Sequence, residues 1–331
     1  MGNGRSHVTS LVLGGNFLNY VDQEIVVETE TPFGAEVPLP ISSSLFRHLN
    51  DTARPCVRMA IEGSSASVGA VPGWLERASD IRTLGFEKRD GYSVLHLKAP
   101  KLGDAAPDLF QQHRLWPGLA GPDDTVIQLI GKVGEVVRRR EESSDIYDKP
   151  LLRHFTHWRT LFRREVKEVQ FPDASGTGEA SVLNPTVVAN AQQLSAQTPS
   201  PRQLRVVGKL DMVRHSTRSF GLVLNGGEEV RGVLLEGDPS LLQQYFGREI
   251  TVFGKAVYRP SGSLLRIDAQ EFLGTSEGRE FFSSIPQAMS APARTDRKPQ
   301  PVKRGGAAFF GTWPGEESDE ELLAALGELR R

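Results

Sequence analysis

The residue types that could bind a metal come closest together around residue 150. His154 and His157 stand three residues apart in a stretch predicted to be helical, and Asp148 precedes them by one to two turns. Zinc sites need three or four ligands in a defined set, and this stretch supplies no others. We therefore expect these side chains to be polar residues on the exposed side of a core helix, with no metal bound.

Nucleophilic groups are equally scarce. The segment Gly63-Ser-Ser-Ala-Ser-Val-Gly is loop-like and could hold a serine nucleophile. Nucleophilic catalysis also needs a base beside the hydroxyl group, and none is identifiable, so a plain turn is the simpler interpretation. Cys56 lies beside an apolar run and is interpreted as a small buried hydrophobic residue. As the single cysteine of the chain, it excludes an internal disulfide.

Sequence motifs that bind nucleotides or mark hydrolases are missing. The chain has no G-x-x-x-x-G-K-S/T, no G-x-S-x-G and no G-x-G-x-x-G. We predict a non-enzymatic protein without a cofactor. An enzyme in the N-terminal part, with a motif that is not visible, remains a third hypothesis.

Basic residues that could contact nucleic acid recur between residues 203 and 273. The candidates are Arg205, Lys209, Arg214 and Arg218. Small barrels bind single strands with a basic groove and exposed aromatic rings, so these residues suggest a weak nucleic-acid site. The same stretch carries nine Lys and Arg against eight Asp and Glu, and charge on an edge strand also serves to prevent edge pairing.

The last residues of the sequence have the pattern of a short amphipathic helix. Ser318 and Glu321 have the spacing of a capping box, in which each side chain binds the other residue's backbone N–H. Leu322, Leu326 and Leu329 follow at i, i+4 and i+7 and share one face. A helix this short is marginal in isolation and needs a surface to lie on.

This tail, residues 311–331, resembles a segment of short antitoxins encoded beside PIN-domain ribonuclease toxins. The shared pattern is W-P-G-D-E-S/T-x-E-E-L-L-x-A-L-x-E-L, with Glu316 here in place of Asp and Gly327 in place of a helix-forming residue. The resemblance implies a PIN-type nuclease as partner. Its implied contacts are Trp313, Leu322, Leu326 and Leu329 as anchors, with Arg330 or Arg331 near the acidic catalytic residues of the nuclease. Docking of the helix on the protein's own body is the alternative.

The elements before residue 203 predict an α+β fold: a β-rich N-terminal body with a helical hairpin over residues 1–171. Strands are expected at Val8–Leu13, Glu24–Glu30, Val57–Ile61 and Tyr92–Leu97, and a short helix at Ile41–Leu49. Helices near residues 125–141 and 150–165 would form an antiparallel hairpin on the strands. The polar stretch 172–202 is predicted to be a linker.

Residues 203–273 give the clearest fold prediction. Alternating strands and one helix occur in the order β-β-β-α-β-β, with a turn at Asn225-Gly-Gly. This order resembles that of a small OB-like β-barrel, with Gly208 placed where the first strand could bend. Residues 274–310 are rich in Pro, Ala and charge and are predicted to be a flexible linker to the C-terminal helix.

Overall composition favours a cytoplasmic protein. The net charge is −2, from 39 Lys and Arg against 41 Asp and Glu, which provides no general attraction to nucleic acid or anionic membranes. No signal peptide and no membrane-spanning segment are expected. The first hypothesis is an antitoxin-like or regulatory protein that acts through its tail. The second is a nucleic-acid-binding protein that acts through the barrel.

Overall fold

The computed structural model describes residues 18–66, 70–110, 120–173, 180–235 and 237–274. These residues belong to the first of the two units into which the chain divides, Met1–Ser290. The tail at 311–331, the predicted linker beyond Gly274 and the predicted strand Val8–Leu13 lie outside the described residues.

A five-stranded antiparallel sheet forms the centre of the body. Its strands are β1 (Tyr20–Thr29), β2 (Arg82–Arg89), β3 (Tyr92–Pro100), β4 (Val166–Phe171) and β5 (Ser181–Leu183). They lie side by side in the order β2-β3-β1-β4-β5. In β1, Ile25 and Val27 are buried while the alternate residues Asp22 and Glu24 are exposed. This alternation is expected of a sheet with one face against a core and the other in water.

Helices cover the apolar face of this sheet. The longer ones are α1 (Leu39–Glu62), α5 (Val126–Arg138), α6 (Lys149–His157) and α8 (Pro185–Gln197). The shorter ones are α2 (Gly73–Ala78), α3 (Leu102–Ala105), α4 (Pro107–Phe110) and α7 (Arg159–Phe162). Their buried faces join those of the strands in one hydrophobic core, so the body is a sheet with helices on one side.

The prediction for residues 41–61 was wrong, because these residues belong to one long helix. The expected short helix and the expected strand Val57–Ile61 are both parts of α1. A short apolar run fits a buried helix as well as a strand, so periodicity alone could not separate the two. Pro55 lies inside α1, and Gly63 ends the helix with a left-handed φ of 75°.

The stretch 172–202, predicted as a linker, contains a strand and a helix. Asn184 caps α8 by accepting the N–H of Val187 at 3.1 Å, and Pro185 occupies its first turn. Val187, Val188, Ala191 and Leu194 recur at helical spacing and are buried. Their apolar stripe was obscured by the many Ser, Thr, Asn and Gln residues around it.

The two helices predicted near 125–141 and 150–165 are present as α5, and as α6 followed by α7. They do not form the predicted hairpin: α5 packs mainly on α1 and β5, and α6 packs mainly on α8 and α1. Thr125 caps α5 in a capping box with Gln128, and Asp148 caps α6 by accepting the N–H of Leu151 at 3.1 Å.

Residues 202–274 form a closed five-stranded barrel. Its strands are β6 (Arg202–Arg214), β7 (Ser219–Leu224), β8 (Glu229–Leu234), β9 (Glu249–Tyr258) and β10 (Leu264–Gly274), with α9 (Ser240–Gln244) after the third strand. The order around the barrel is β10-β8-β7-β6-β9, and β8 and β10 run parallel. The predicted order of elements is confirmed, and the closed barrel fits the OB-like expectation.

Strand β6 belongs to both halves of the barrel. It pairs with β9 along Arg202–Lys209 and with β7 along Gly208–Arg214. Inside the barrel, Gly232 makes room for Phe220, since a Cβ atom on Gly232 would lie 2.1 Å from the phenyl ring. Phe220 packs edge-on against Phe272, with the ring centroids 5.1 Å apart. Side chains thus fill the interior.

The described residues therefore define an α+β body followed by a closed β-barrel. No helix among them is both long and apolar enough to cross a membrane.

Candidate functional site

The tail residues proposed as partner contacts have no described position. Trp313, Leu322, Leu326, Leu329, Arg330 and Arg331, with the cap residues Ser318 and Glu321, all lie outside the described residues. Their assignment stays a prediction from sequence.

The four basic residues predicted to bind nucleic acid do not share one surface. Arg205 and Lys209 are exposed on β6, and the guanidinium of Arg205 lies 5.0 Å from the ring centroid of Phe253. Arg214 is buried and donates to the backbone carbonyl of Leu109 in the body. Arg218, half-buried in the turn after β6, donates to the carbonyl of Gly237. The predicted set is therefore divided between an exposed strand and groups already bonded within the protein.

The histidines of α6 do not assemble a metal site. The rings of His154 and His157 lie 6.2 Å apart, and the third candidate, Asp148, caps α6. Across the described ranges, no group of three or more His, Cys, Asp and Glu side chains has the arrangement of a metal site. Burial lowers the pKa of His154 below its usual value.

The Ser-rich loop after α1 is held by the buried carboxylate of Asp148. Ser65 donates both its hydroxyl and its backbone N–H to the carboxylate of Asp148. Cys56 is fully buried, and burial raises the pKa of its thiol far above the usual range. Both candidate nucleophiles are thus parts of the interior, as a structural interpretation predicts.

Asp148 also forms an ion pair between the body and the barrel. Its Oδ2 lies 3.1 Å from Nη1 of Arg266 on β10, and both side chains are almost completely buried, at 0% and 2% exposure. Nε of Arg266 donates to Asp268 at 2.6 Å. Burial opposes the charge of the guanidinium, but the two aspartates outweigh it and raise the pKa of Arg266. Removing Arg266 would leave Asp148 buried without this countercharge, and removing Asp148 would leave Arg266 with Asp268 as its partner.

A second ionic contact surrounds Asp145, in the same connection between α5 and α6. Asp145 accepts from Arg231 of β8 at 3.2 Å and from Nε of Arg259, after β9, at 2.9 Å. The backbone N–H of Ser261 donates to the carbonyl of Glu142 at 3.2 Å. The segment 142–148 therefore contacts the barrel through both side chains and backbone.

Apolar contacts lie among these ion pairs. On strand β8, the side chains of Val230 and Leu234 belong to the barrel core, whereas that of Val233 lies on the outer side of the strand. Val233, Val257 and Leu265 are all buried and belong to the hydrophobic core of the body rather than to the barrel interior. An apolar centre with arginines around it is typical of protein–protein interfaces. We call this contact the body–barrel junction. It consists of Asp145 and Asp148 with their arginine partners, and of the three apolar residues.

The junction lies on the side of the barrel that includes β8 and the β9–β10 loop. OB-like barrels bind ligands on the face of their second and third strands and on the loops after the first and fourth. Here these are β7, β8 and the loops around Arg218 and Ser261. The body contacts this surface through Arg231 and Val233 on β8 and through the β9–β10 loop.

The amino-acid sequence carries one signal of the junction. Arg266 stands among Leu264, Leu265 and Ile267 in a strand, and a charged residue in an apolar strand is rarely buried without a partner. That signal indicates a buried ion pair but cannot identify Asp148, which lies 118 residues earlier.

Comparisons of this chain with protein-family models, with characterised proteins and with solved structures find no match.

Proposed function

We propose that this chain is a non-enzymatic antitoxin-like or regulatory protein of the cytoplasm that binds and silences a PIN-type nuclease through residues 311–331. The observation that carries the proposal is the tail itself. It combines the motif from Trp313 to Leu329 with a capping box and a leucine stripe.

The proposed mechanism is insertion of an amphipathic helix into an apolar groove of the nuclease. Leu322, Leu326 and Leu329 supply the apolar face, and Trp313 anchors the chain before the helix begins. Arg330 and Arg331 then pair with the acidic residues that the nuclease uses for catalysis. This blocks the active site without any reaction by the bound protein.

Among the described residues, the candidate nucleophiles and Asp148 have structural partners or buried positions. The most reactive types of side chain make structural contacts inside the protein. Ser65 donates to Asp148, Cys56 is buried and Asp148 pairs with Arg266. Strongly perturbed groups can mark active sites, but ion pairs within a fold perturb them as well. Here each has a structural partner or a buried apolar setting.

The proposal is tested by co-expressing the full chain with each PIN-type nuclease of the same genome and measuring co-purification and RNA cleavage. We expect a stable, inactive complex with one nuclease. Leu322→Asp and Leu326→Asp should each weaken binding at least about tenfold, because a carboxylate in an apolar groove loses its hydration without gaining a partner. Ser318→Ala removes only the cap and should cost about 1 kcal/mol.

Ala324→Asp is the matched control, since residue 324 lies on the opposite side of the helix from Leu322. It introduces the same charge in the same turn and should leave binding within about twofold. Equal loss in Ala324→Asp and Leu322→Asp would mean that the leucine stripe is not the contact. Binding that survives both leucine variants would refute the proposal.

A further inference from the structure

One exposed side of the body carries a concentration of arginines. From Pro150 to Arg164 the sequence contains no Asp or Glu, although acidic and basic residues are nearly balanced over the whole chain. Exposed arginines occur here on α6, on α7 with the turn that follows it, and on the neighbouring helix α1. We call this set the arginine surface: Arg47, Arg54, Arg153, Arg159, Arg163 and Arg164.

Contacts between the helices bring these arginines together. His48 of α1 bonds Thr160 of α7 at 2.8 Å, so the middle of α1 lies beside the start of α7. Burial lowers the pKa of His48, and Arg47 and His157 beside it lower it further. Arg153 lies one turn before His157 on α6. The exposed residues of α1, α6 and α7 therefore meet at this position.

The charges of the arginine surface are not compensated within the described part of the chain. There, none of the six side chains forms an ion pair or a hydrogen bond. The two carboxylates of these segments, Asp51 and Glu165, are exposed and form no ion pair with them. The helix dipole favours basic residues in a last turn, but Arg47, Arg54 and Arg153 lie earlier in their helices.

Unpaired arginines on one surface indicate an anionic partner, and their chemistry indicates phosphate. A guanidinium has a planar fork of donors that fits phosphate oxygens bidentately. Single-strand binding also uses exposed aromatic rings for base stacking, whereas Phe155 and Trp158 of this region are buried. We propose that the arginine surface binds the phosphate backbone of a nucleic-acid duplex without preference for sequence.

This inference goes beyond the proposed function and does not depend on it. The arginine surface lies on the body, whereas the proposed nuclease contacts lie in residues 311–331. It is also separate from Arg205 and Lys209, which lie on strand β6 of the barrel. The nuclease proposal can therefore fail while this one holds.

The test measures binding of fluorescein-labelled DNA and RNA duplexes of about 20 base pairs to the full chain, by anisotropy between about 50 and 200 mM salt. We expect both duplexes to bind, with a salt dependence of about three to five counterions. Combining Arg159→Ala with Arg163→Ala should weaken binding at least about tenfold at low salt and lower the salt dependence by about two counterions. Arg153→Ala, a single change on another helix, should act in the same direction.

The matched control combines Arg82→Ala with Arg89→Ala. Both arginines are exposed on β2 and paired with carboxylates, Asp80 and Glu24, on the side of the sheet away from the helices. The control therefore loses the same two positive charges at a distance from the arginine surface. It should bind both duplexes within about twofold of the unchanged protein.

A barrel variant, Arg205→Glu with Lys209→Glu, should keep most of the binding. Four results would overturn the proposal: no duplex binding at low salt, unchanged binding in the Arg159 and Arg163 variant, an equal loss in the β2 control, or a loss confined to the barrel variant. Polyglutamate is tested in parallel. If it binds and the duplexes do not, the arginines recognise acidic proteins and the nucleic-acid assignment is wrong.

Discussion

Asp148 joins three segments of the chain: the loop after α1, the first turn of α6 and strand β10. Its carboxylate accepts from Ser65, from the N–H of Leu151 and from Arg266. Four hydrogen bonds compensate the cost of burying the charge, and the loss of the carboxylate would remove one of the two aspartates that neutralise the buried Arg266.

We expect Asp148→Ala and Arg266→Ala each to destabilise the protein by about 3 to 5 kcal/mol in urea unfolding. The double variant should lose much less than the sum of the two, because each single change already breaks the same pair. Asp145→Asn breaks the exposed pair nearby and should cost at most about 1 kcal/mol. Additive losses at residues 148 and 266 would contradict the coupling inferred for them.

Two glycines within helix α5 differ in the space available around them. A Cβ atom on Gly131 would lie 2.8 Å from Cβ of Phe171, whereas on Gly134 its nearest neighbours would be at 3.8 Å. Gly131 thus lets the helix approach strand β4, and Gly134 serves no comparable purpose.

We predict that Gly134→Ala stabilises the protein by about 0.5 to 1 kcal/mol, because alanine favours the helix and fits the space. Gly131→Ala gains the same propensity but must displace Phe171, so it should destabilise by about 1 kcal/mol or more. Urea midpoints of the two variants provide the measurement. A stabilising Gly131→Ala would mean that the helix and the strand are not in close contact.

The contact of α1 with the end of α6 should make stability depend on pH. His48 is buried, stacks on Trp158 with ring centroids 5.4 Å apart and bonds Thr160 through Nε2 at 2.8 Å. Burial lowers the pKa of His48 and of His154 below the ordinary 6.5. The unfolded chain therefore takes up protons first as the pH falls.

The free energy of unfolding therefore decreases as the pH falls below 6.5. The decrease continues until the pH reaches the lowered pKa values of the histidines in the folded protein. Thermal midpoints at about pH 7.5 and about pH 5.5 should show this loss. His48→Gln should reduce it, while His215→Gln, at an exposed turn residue, should not. A pH profile that His48→Gln leaves unchanged would assign the effect to other groups.

Local patterns predicted the barrel well and the body less well, for physical reasons. Each barrel strand alternates between an interior and an outer face, and three pairs of consecutive strands, β6–β7, β7–β8 and β9–β10, lie side by side. In the body, the helices that contain Val57–Ile61 and 185–197 pack on helices that are distant in sequence. The junction was the least predictable part, because Asp148 and Arg266 are joined only by the complete fold.

Taken as a whole, the described part of the chain is a barrel attached to its body by apolar contacts and buried charge. Val233, Val257 and Leu265 would be exposed on an isolated barrel, and Arg266 would lose Asp148. The barrel and the body therefore contribute to each other's stability. The tail is the part of the sequence for which we propose binding to another protein.

The most direct test of that role compares the full chain with a version ending at residue 310. Both are added to the PIN-type nuclease that co-purifies with the full chain, and RNA cleavage and thermal unfolding are measured. We predict that the full chain silences the nuclease, that the shortened chain does not, and that their melting temperatures are nearly equal. Equal inhibition by both, or a loss of several kcal/mol of stability on truncation, would contradict the proposal.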